Sequence, residues 1–310
     1  MKYRLVAFLI TVFVCTSTWA ETPIKVLIID GQNNHGDWPK NTALMKQYLE
    51  DTGKFEVDVE RTKYTWNGDK HFPEYELKDK EYVAGKAKTD PDFKPNFFQY
   101  DVVISNFGFG AAPWPKVTRR AFDKFVKDGG GLVVVHAADN SFGDWPEYNE
   151  MIGIGGWGGR NKSSGPYVYW EDGAIVRDAE LDGPGGSHGP QHEFTVIVRD
   201  ANHPVTLGMP RQWKHTKDEL YDSLRGPAQN MRVLATSYSA KTKRHEPMIM
   251  TIDYGEGRVF HTPMGHADYS MQCQGYVTTL LRGTEWAANG NVTIGIPENF
   301  PGPDKSVSVE

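Results

Sequence analysis

Two histidines stand where an α/β sheet would carry them to an open edge. His136 follows the apolar run Gly131 to Val135, and His266 follows the strand-like stretch Gly257 to His261. Ligands of open α/β sheets bind beyond the carboxyl ends of the strands, and imidazole changes charge near neutral pH. These two side chains are therefore candidates for acid/base work or metal ligation. Residues 137–142, Ala-Ala-Asp-Asn-Ser-Phe, continue from His136 and include Asp139, with Trp145 close behind. A strand ending in a small-residue turn resembles a nucleophile elbow, here carrying imidazole; a histidine capping the turn is the plainer alternative.

His261 and His266 are five apart, which on a strand points them to opposite faces, so His266 on the loop is the functional candidate. Asp218 and Glu219 precede Tyr221 and sit among cations, a pair suited to a base with its orienting partner, to metal binding, or simply to a helix start. His188 and His192 have helical metal-pair spacing, but Gly189 and Pro190 between them argue against a helix. The first strand ends in a polar cluster, Asp30 to Trp38. Within it His35, Asp37 and Trp38 are placed for ligand contact, with helix capping the competing role for Asp37. Asn106, late in the third strand, belongs to the same edge. Residues 153–158 formally satisfy G-x-G-x-x-G, but no strand precedes them and no helix follows; a flexible loop anchored by Trp157 over a cleft is expected instead.

The elements that must position these groups alternate. Strands are expected at 24–29, 55–59, 101–107 and 132–135, with helices after Asp37 and over 113–128. Residues 61–99 read as a long excursion outside the sheet. Further strands are expected at 192–198, 232–238, 248–253 and 258–261, with a last helix over 274–288. This order predicts an α/β fold with a doubly wound, mostly parallel sheet flanked by helices, as one domain with long loop insertions.

Residues 1–20 carry Lys2 and Arg4, an apolar stretch and Thr18-Trp19-Ala20, the pattern of a cleaved signal peptide. A periplasmic or secreted location is therefore expected, with a domain over 21–298 and a flexible, polar tail over 299–310. Cleavage would leave Cys273 as the sole cysteine, excluding a disulfide framework, and would take the formal charge from −6 to −8. With no basic stripe nucleic acid is excluded as a partner, and beyond residue 20 no apolar run is long enough to span a bilayer. Of the nine Trp and fourteen Tyr, several lie beside Gly, Pro or Asp in predicted loops and suit sugar recognition as well as ordinary packing.

In order along the chain, residues 26–30, 100–103, 129–136, 145–148, 203–204, 218–221 and 254–266 resemble the ThuA-like, trehalose-utilisation family. That resemblance implies a class I glutamine-amidotransferase-like, flavodoxin-like fold and a role in sugar metabolism, notably with keto derivatives of disaccharides. It puts His136 where amidotransferases keep a cysteine nucleophile, so glutaminase chemistry is not expected. It also carries site roles onto His136, His203, Asp218, Glu219 and His266. Arg160-Asn161-Lys162 stands where the family pattern suggests a histidine, a place His188 or His192 could fill.

The reading reached is an exported enzyme acting on a disaccharide or 3-keto-glycoside by acid/base chemistry. Its catalytic candidates are His136, Asp218, Glu219 and His266. Its substrate-binding candidates are His35, Asp37, Trp38, Asn106, Asp139, Trp145, His203 and Tyr221. No cofactor is demanded, and a divalent metal ion on His136, Glu219 and His266 is the candidate one. A small carbohydrate is the expected partner, with no membrane contact after cleavage and a homo-oligomer left open. A non-catalytic carbohydrate-binding module and a metal-dependent hydrolase are the alternatives.

Overall fold

The computed structural model describes residues 22–309 apart from 76 and 78–80, so the expected leader lies outside the described residues. Strand β1 (Ile24–Gln32) shows how the core is organised. Val26 and Ile28 enter one hydrophobic cluster while Leu27 and Ile29 enter a second on the opposite face. Strand β5 (Gly131–Val135) repeats the pattern, with Val133 and Val135 on the first face and Leu132 and Val134 on the other. Strands buried on both sides read as unbroken apolar runs.

The first face is covered by α1 (Trp38–Glu50) and the long α6 (Gln274–Asn289). The second is covered by α3 (Lys116–Lys127) and α4 (Pro146–Ile152). Between α1 and α3 run β2 (Phe55–Trp66), a short α2 (Phe72–Tyr75), β3 (Val83–Ala84) and β4 (Val102–Ser105). The later strands are β6 (Tyr167–Glu171), β7 (Ala174–Asp178), β8 (Ser187–His188), β9 (His192–Val198), β10 (Gln212–Asp218), β11 (Tyr221–Asp222), β12 (Met231–Ser239), β13 (Arg244–Tyr254) and β14 (Gly257–Thr262), with the short α5 (Asp268–Met271) before α6.

The main sheet has the order β10-β9-β12-β13-β14-β5-β4-β1-β2-β3. It is parallel from β14 through β3 and antiparallel from β14 outward to β10. The parallel half is the doubly wound, flavodoxin-like unit expected of a class I glutamine-amidotransferase-like fold, and the β10–β13 meander extends it within one domain.

Three expectations are corrected. Strand β2 does not stop near Val59 but runs to Trp66, because its backbone goes on pairing with β1 and then β3 and its one buried charge, Arg61, is matched. Arg61 makes a buried bidentate pair with Asp30, at 2.8 and 2.9 Å, and lies 4.6 Å over the Trp38 ring. The Gly-rich stretch after 153 contains the β6–β7 hairpin, closed by Asp172 and Gly173 with φ of 48° and 82°, the geometry an Asp-Gly turn favours. Residues 299–309 are docked rather than free. Phe300 packs 5.6 Å from Trp213, and the main chain bonds to Lys214, Gln274 and Gln272. No helix among the described residues is long and apolar enough to cross a membrane.

Candidate functional site

Four loops at the carboxyl edge of the parallel strands deliver the site. His136 leaves β5 with φ of 44°, a left-handed conformation that costs a non-glycine residue on the order of 1–3 kcal/mol. The bend turns its ring into the edge, where Nδ1 donates to the Pro263 carbonyl oxygen at 2.7 Å. That bond fixes the tautomer and leaves the Nε2 lone pair facing inward. The Tyr221 hydroxyl donates to it at 2.9 Å and itself accepts from Asn140 Nδ2 at 3.2 Å.

His35, on the loop between β1 and α1, has its ring 4.9 Å from that of His136 and 4.5 Å from that of His266. His266 Nδ1 lies 3.3 Å from His136 Nε2 and 3.1 Å from Glu219 Oε2. Glu219 Oε2 is in turn 3.8 Å from His136 Nε2 and 3.9 Å from His188 Nε2. One nitrogen from each of His35, His136 and His266 and one Glu219 oxygen all fall within 4.8 Å of one another. Two well-separated segments of the antiparallel half supply Glu219 and His266, and the parallel half supplies His35 and His136.

Asp218 ties together the two segments that carry Glu219 and His266. Its carboxylate is wholly buried and accepts from four donors: Glu219 N at 2.8 Å, His266 N at 3.1 Å, Gly265 N at 2.8 Å and His215 Nε2 at 2.7 Å. Gly265 is needed for this approach, having φ of 102° and a position where a Cβ would lie 2.8 Å from the Tyr276 ring. Burial lowers the pKa of His215, but the bond to Asp218 and the neighbouring Cys273 outweigh it and raise the pKa to about 9. Asp218, expected among the catalytic residues, is therefore a positioning residue with no free lone pair aimed at the cluster.

The electrostatics of the cluster follow from burial and mutual repulsion. Burial, then His266, lowers His35 to about 4, and burial with the charges of His35 and His266 drives His136 well below its usual value. Both are neutral imidazoles at neutral pH. For His266 burial lowers the pKa, yet the Glu219 bond prevails and raises it. Glu219 is shifted down, its burial being outweighed by His266. Burial holds the Tyr221 phenol far above its usual range, so it stays a donor.

Three imidazole nitrogens and a carboxylate oxygen this close together are within reach of a single ion. A tetrahedral ion with nitrogen ligands at about 2.0–2.1 Å needs ligand atoms about 3.3 Å apart, and His136 Nε2 and His266 Nδ1 stand 3.3 Å apart. The backbone partner of His136 is the kind of outer contact that metal-bound histidines carry. The residues present thus fit a divalent ion of the zinc type.

Other expectations are redirected. Asp139 lies buried beneath the site, 3.3 Å from His261 Nε2, and His261 Nδ1 donates to Ile152 O, so this pair is internal. Asn106 braces the His35 loop from behind, donating to Trp38 O and Thr42 Oγ1. Asp37 neither caps α1 nor faces the cluster directly; it bonds His71 at 2.8 Å and Lys70 at 3.1 Å. Trp38 and Trp145 are buried anchors outside the cluster: Trp38 donates to Trp66 O, and Trp145 packs against Trp114 and Phe142. His203 packs against Trp286 on α6, away from the cluster, and accepts from Val205 N. His188 reaches Glu219 whereas His192 is exposed on β9, so they form no metal pair.

Sequence reasoning placed His35 beside ligand but did not join it to the His136, Glu219 and His266 group, since nothing in its spacing links it to residues a hundred positions away. It also placed Trp157 only as a loop anchor, whereas its ring lies 4.8 Å from Tyr221. The residue 153–158 segment is pinned throughout its length by backbone bonds to Arg225, Asp139 and Gly185.

The sequence profile of the ThuA family, described as trehalose utilisation, matches residues 25–287. A putative ThuA-like protein from Parabacteroides merdae is 43% identical, with a TM-score of 0.82 over 93% of this chain and 98% of that one. A second, from Bacteroides uniformis, is 20% identical with a TM-score of 0.56 over 89% and 98%, a likeness of fold alone. No curated protein matches the chain.

Proposed function

Because this chain belongs to the ThuA (trehalose utilisation) family, we propose that it is a carbohydrate-processing enzyme whose reaction centre is the cluster of His35, His136, His266, Glu219 and Tyr221. The convergence of three imidazole nitrogens and one carboxylate oxygen within 4.8 Å carries this reading. His35, His136 and His266 are the protein ligands of a divalent ion, a three-histidine set of the kind that leaves a coordination position open in catalytic sites. When bound, the ion supplies Lewis-acid polarisation of a substrate oxygen.

The remaining residues divide the proton work. Glu219 stands between the imidazoles and the outer His188, ionised and poised to take a proton from the substrate or from water. Tyr221, kept protonated, donates a hydrogen bond to a substrate oxygen as charge develops there. A disaccharide, or its 3-keto form with an acidic proton beside the carbonyl, suits this pairing. Glutaminase chemistry is left out, because His136 at the elbow cannot form the thioester a cysteine would.

Protein purified without chelator is offered trehalose and 3-keto-trehalose while its metal content is measured. Glu219→Gln is expected to keep the ion and lose turnover by about a hundredfold or more, and His136→Ala to lose both. Equal turnover by wild type and His136→Ala would refute the assignment.

A further inference from the structure

An open cleft of about 650 Å³ lies between Phe109 and Trp157 and is lined also by Arg160, Asn161, Pro184 and the neighbouring glycines. Phe109 is 45% exposed, and its main-chain N–H donates to Asn34 Oδ1, tying it to the loop that carries His35. On the other side the Trp157 ring rests 4.8 Å from Tyr221 and 5.9 Å from His188. One end of the cleft therefore touches the residues that surround Glu219.

The backbone beneath Trp157 is built at a cost. Trp157 has φ of 50°, followed by Gly158 at 54° and Gly159 at 81°. For an L residue with a bulky side chain the left-handed region costs on the order of 1–2 kcal/mol. The strand that supports it crosses so closely that a Cβ on Gly186 would lie 2.5 Å from Gly156 Cα and 2.7 Å from Trp157 N. The indole that this arrangement presents is half-buried: part of it packs against the second hydrophobic cluster, and the rest lines the cleft. Strained residues gather at ligand sites, where the surroundings hold them in place.

We infer that the Phe109–Trp157 cleft is a saccharide subsite, in which the apolar face of one pyranose ring of a glycoside stacks on Trp157 while its neighbour reaches the reaction centre. This rests on the proposed function for the identity of that centre. The amphipathic character of a pyranose matches the run from Phe109 and Trp157, which are aromatic, to His188, Tyr221 and Glu219, which are polar. A ligand with two linked rings spans both parts; a monosaccharide fills one.

Isothermal titration calorimetry with maltose and trehalose, alongside metal analysis of the same samples, tests the subsite. Wild type is expected to bind at least one of the two disaccharides, Trp157→Ala to bind it at least tenfold more weakly, and Trp157→Phe to stay within a few-fold of wild type. Phe109→Ala, a change at an exposed side chain, is expected to weaken binding several-fold with an unchanged melting temperature. Metal content is expected to be the same in all four proteins. Wild-type affinity in both alanine variants, or a metal-loaded wild type that binds neither disaccharide, overturns the subsite while leaving the centre intact. A wild type without metal that still binds through Trp157 overturns the centre instead and leaves the subsite standing.

Discussion

Replacing His215 by Gln removes a charge from the support of the site while keeping a donor in place. His215 Nε2 is 2.7 Å from Asp218 Oδ2 and both side chains are fully buried. The pKa of His215 rises from 6.5 to about 9 in the folded protein, burial opposing and the Asp218 bond and Cys273 favouring the charged form. A raised folded-state pKa contributes stability that is complete below about pH 6.5 and is lost as the pH rises through about 9. At about 1.4 kcal/mol per pKa unit, the charged pair is worth about 3 kcal/mol at the acid end of that window. Gln keeps an amide donor toward Asp218 but cannot titrate. Urea unfolding of both proteins at pH 6 and pH 10 is the assay. Wild type is expected to exceed His215→Gln by about 3 kcal/mol at pH 6, with the gap closing by pH 10. A gap that is absent, or equal at both pH values, would refute the account of a buried imidazolium bracing Asp218 and, through it, the loops of Glu219 and His266.

Arg61→Met leaves the buried Asp30 carboxylate without its cation and is expected to cost about 3–5 kcal/mol by thermal or urea unfolding, with Asp30→Asn recovering much of the loss in the double variant. Tyr221→Phe removes the donor to His136 Nε2 and is expected to cost about 1 kcal/mol of stability. It is also expected to slow turnover roughly tenfold at unchanged metal content, the electrostatic part of its role; steady-state kinetics with elemental analysis check this. Truncation after residue 298 removes Phe300 from Trp213 and the main-chain bonds to Gln272 and Gln274. A drop of several degrees in melting temperature is expected, whereas an unchanged value would restore the reading of a free tail.

The parallel half of the fold was legible because strands covered on both faces must be apolar throughout, as in Val26 to Ile29 and Leu132 to Val135, and helices beside them must show an apolar stripe. The elbow at His136 was legible for the same reason, since the switch from Val135 to a polar, small-residue turn marks a strand end at the ligand edge. What escaped was set by pairing rather than by pattern. Arg61 is polar yet lies within β2, buried against Asp30, which is distant in sequence. Asp218 and Glu219 are adjacent and chemically alike, and only the register of β10 decides that one accepts four internal hydrogen bonds while the other faces the cluster. Trp38 and Trp145 look like loop aromatics available to sugar, but both are buried, whereas Trp157 beside its glycines stays partly exposed. His35 joined the site through tertiary contact with His136 and His266, which no local spacing encodes.

Titration of metal-free protein with cobalt(II), followed by visible absorption, tests the central claim most directly, because the ion's ligand-field bands report a nitrogen-rich, low-coordination site. Wild type and Glu219→Gln are predicted to develop those bands and saturate at one ion per chain, and the His35→Ala, His136→Ala and His266→Ala variants to develop none at the same concentration. No stoichiometric uptake by wild type, or uptake that survives loss of any two of the three imidazoles, would contradict the account.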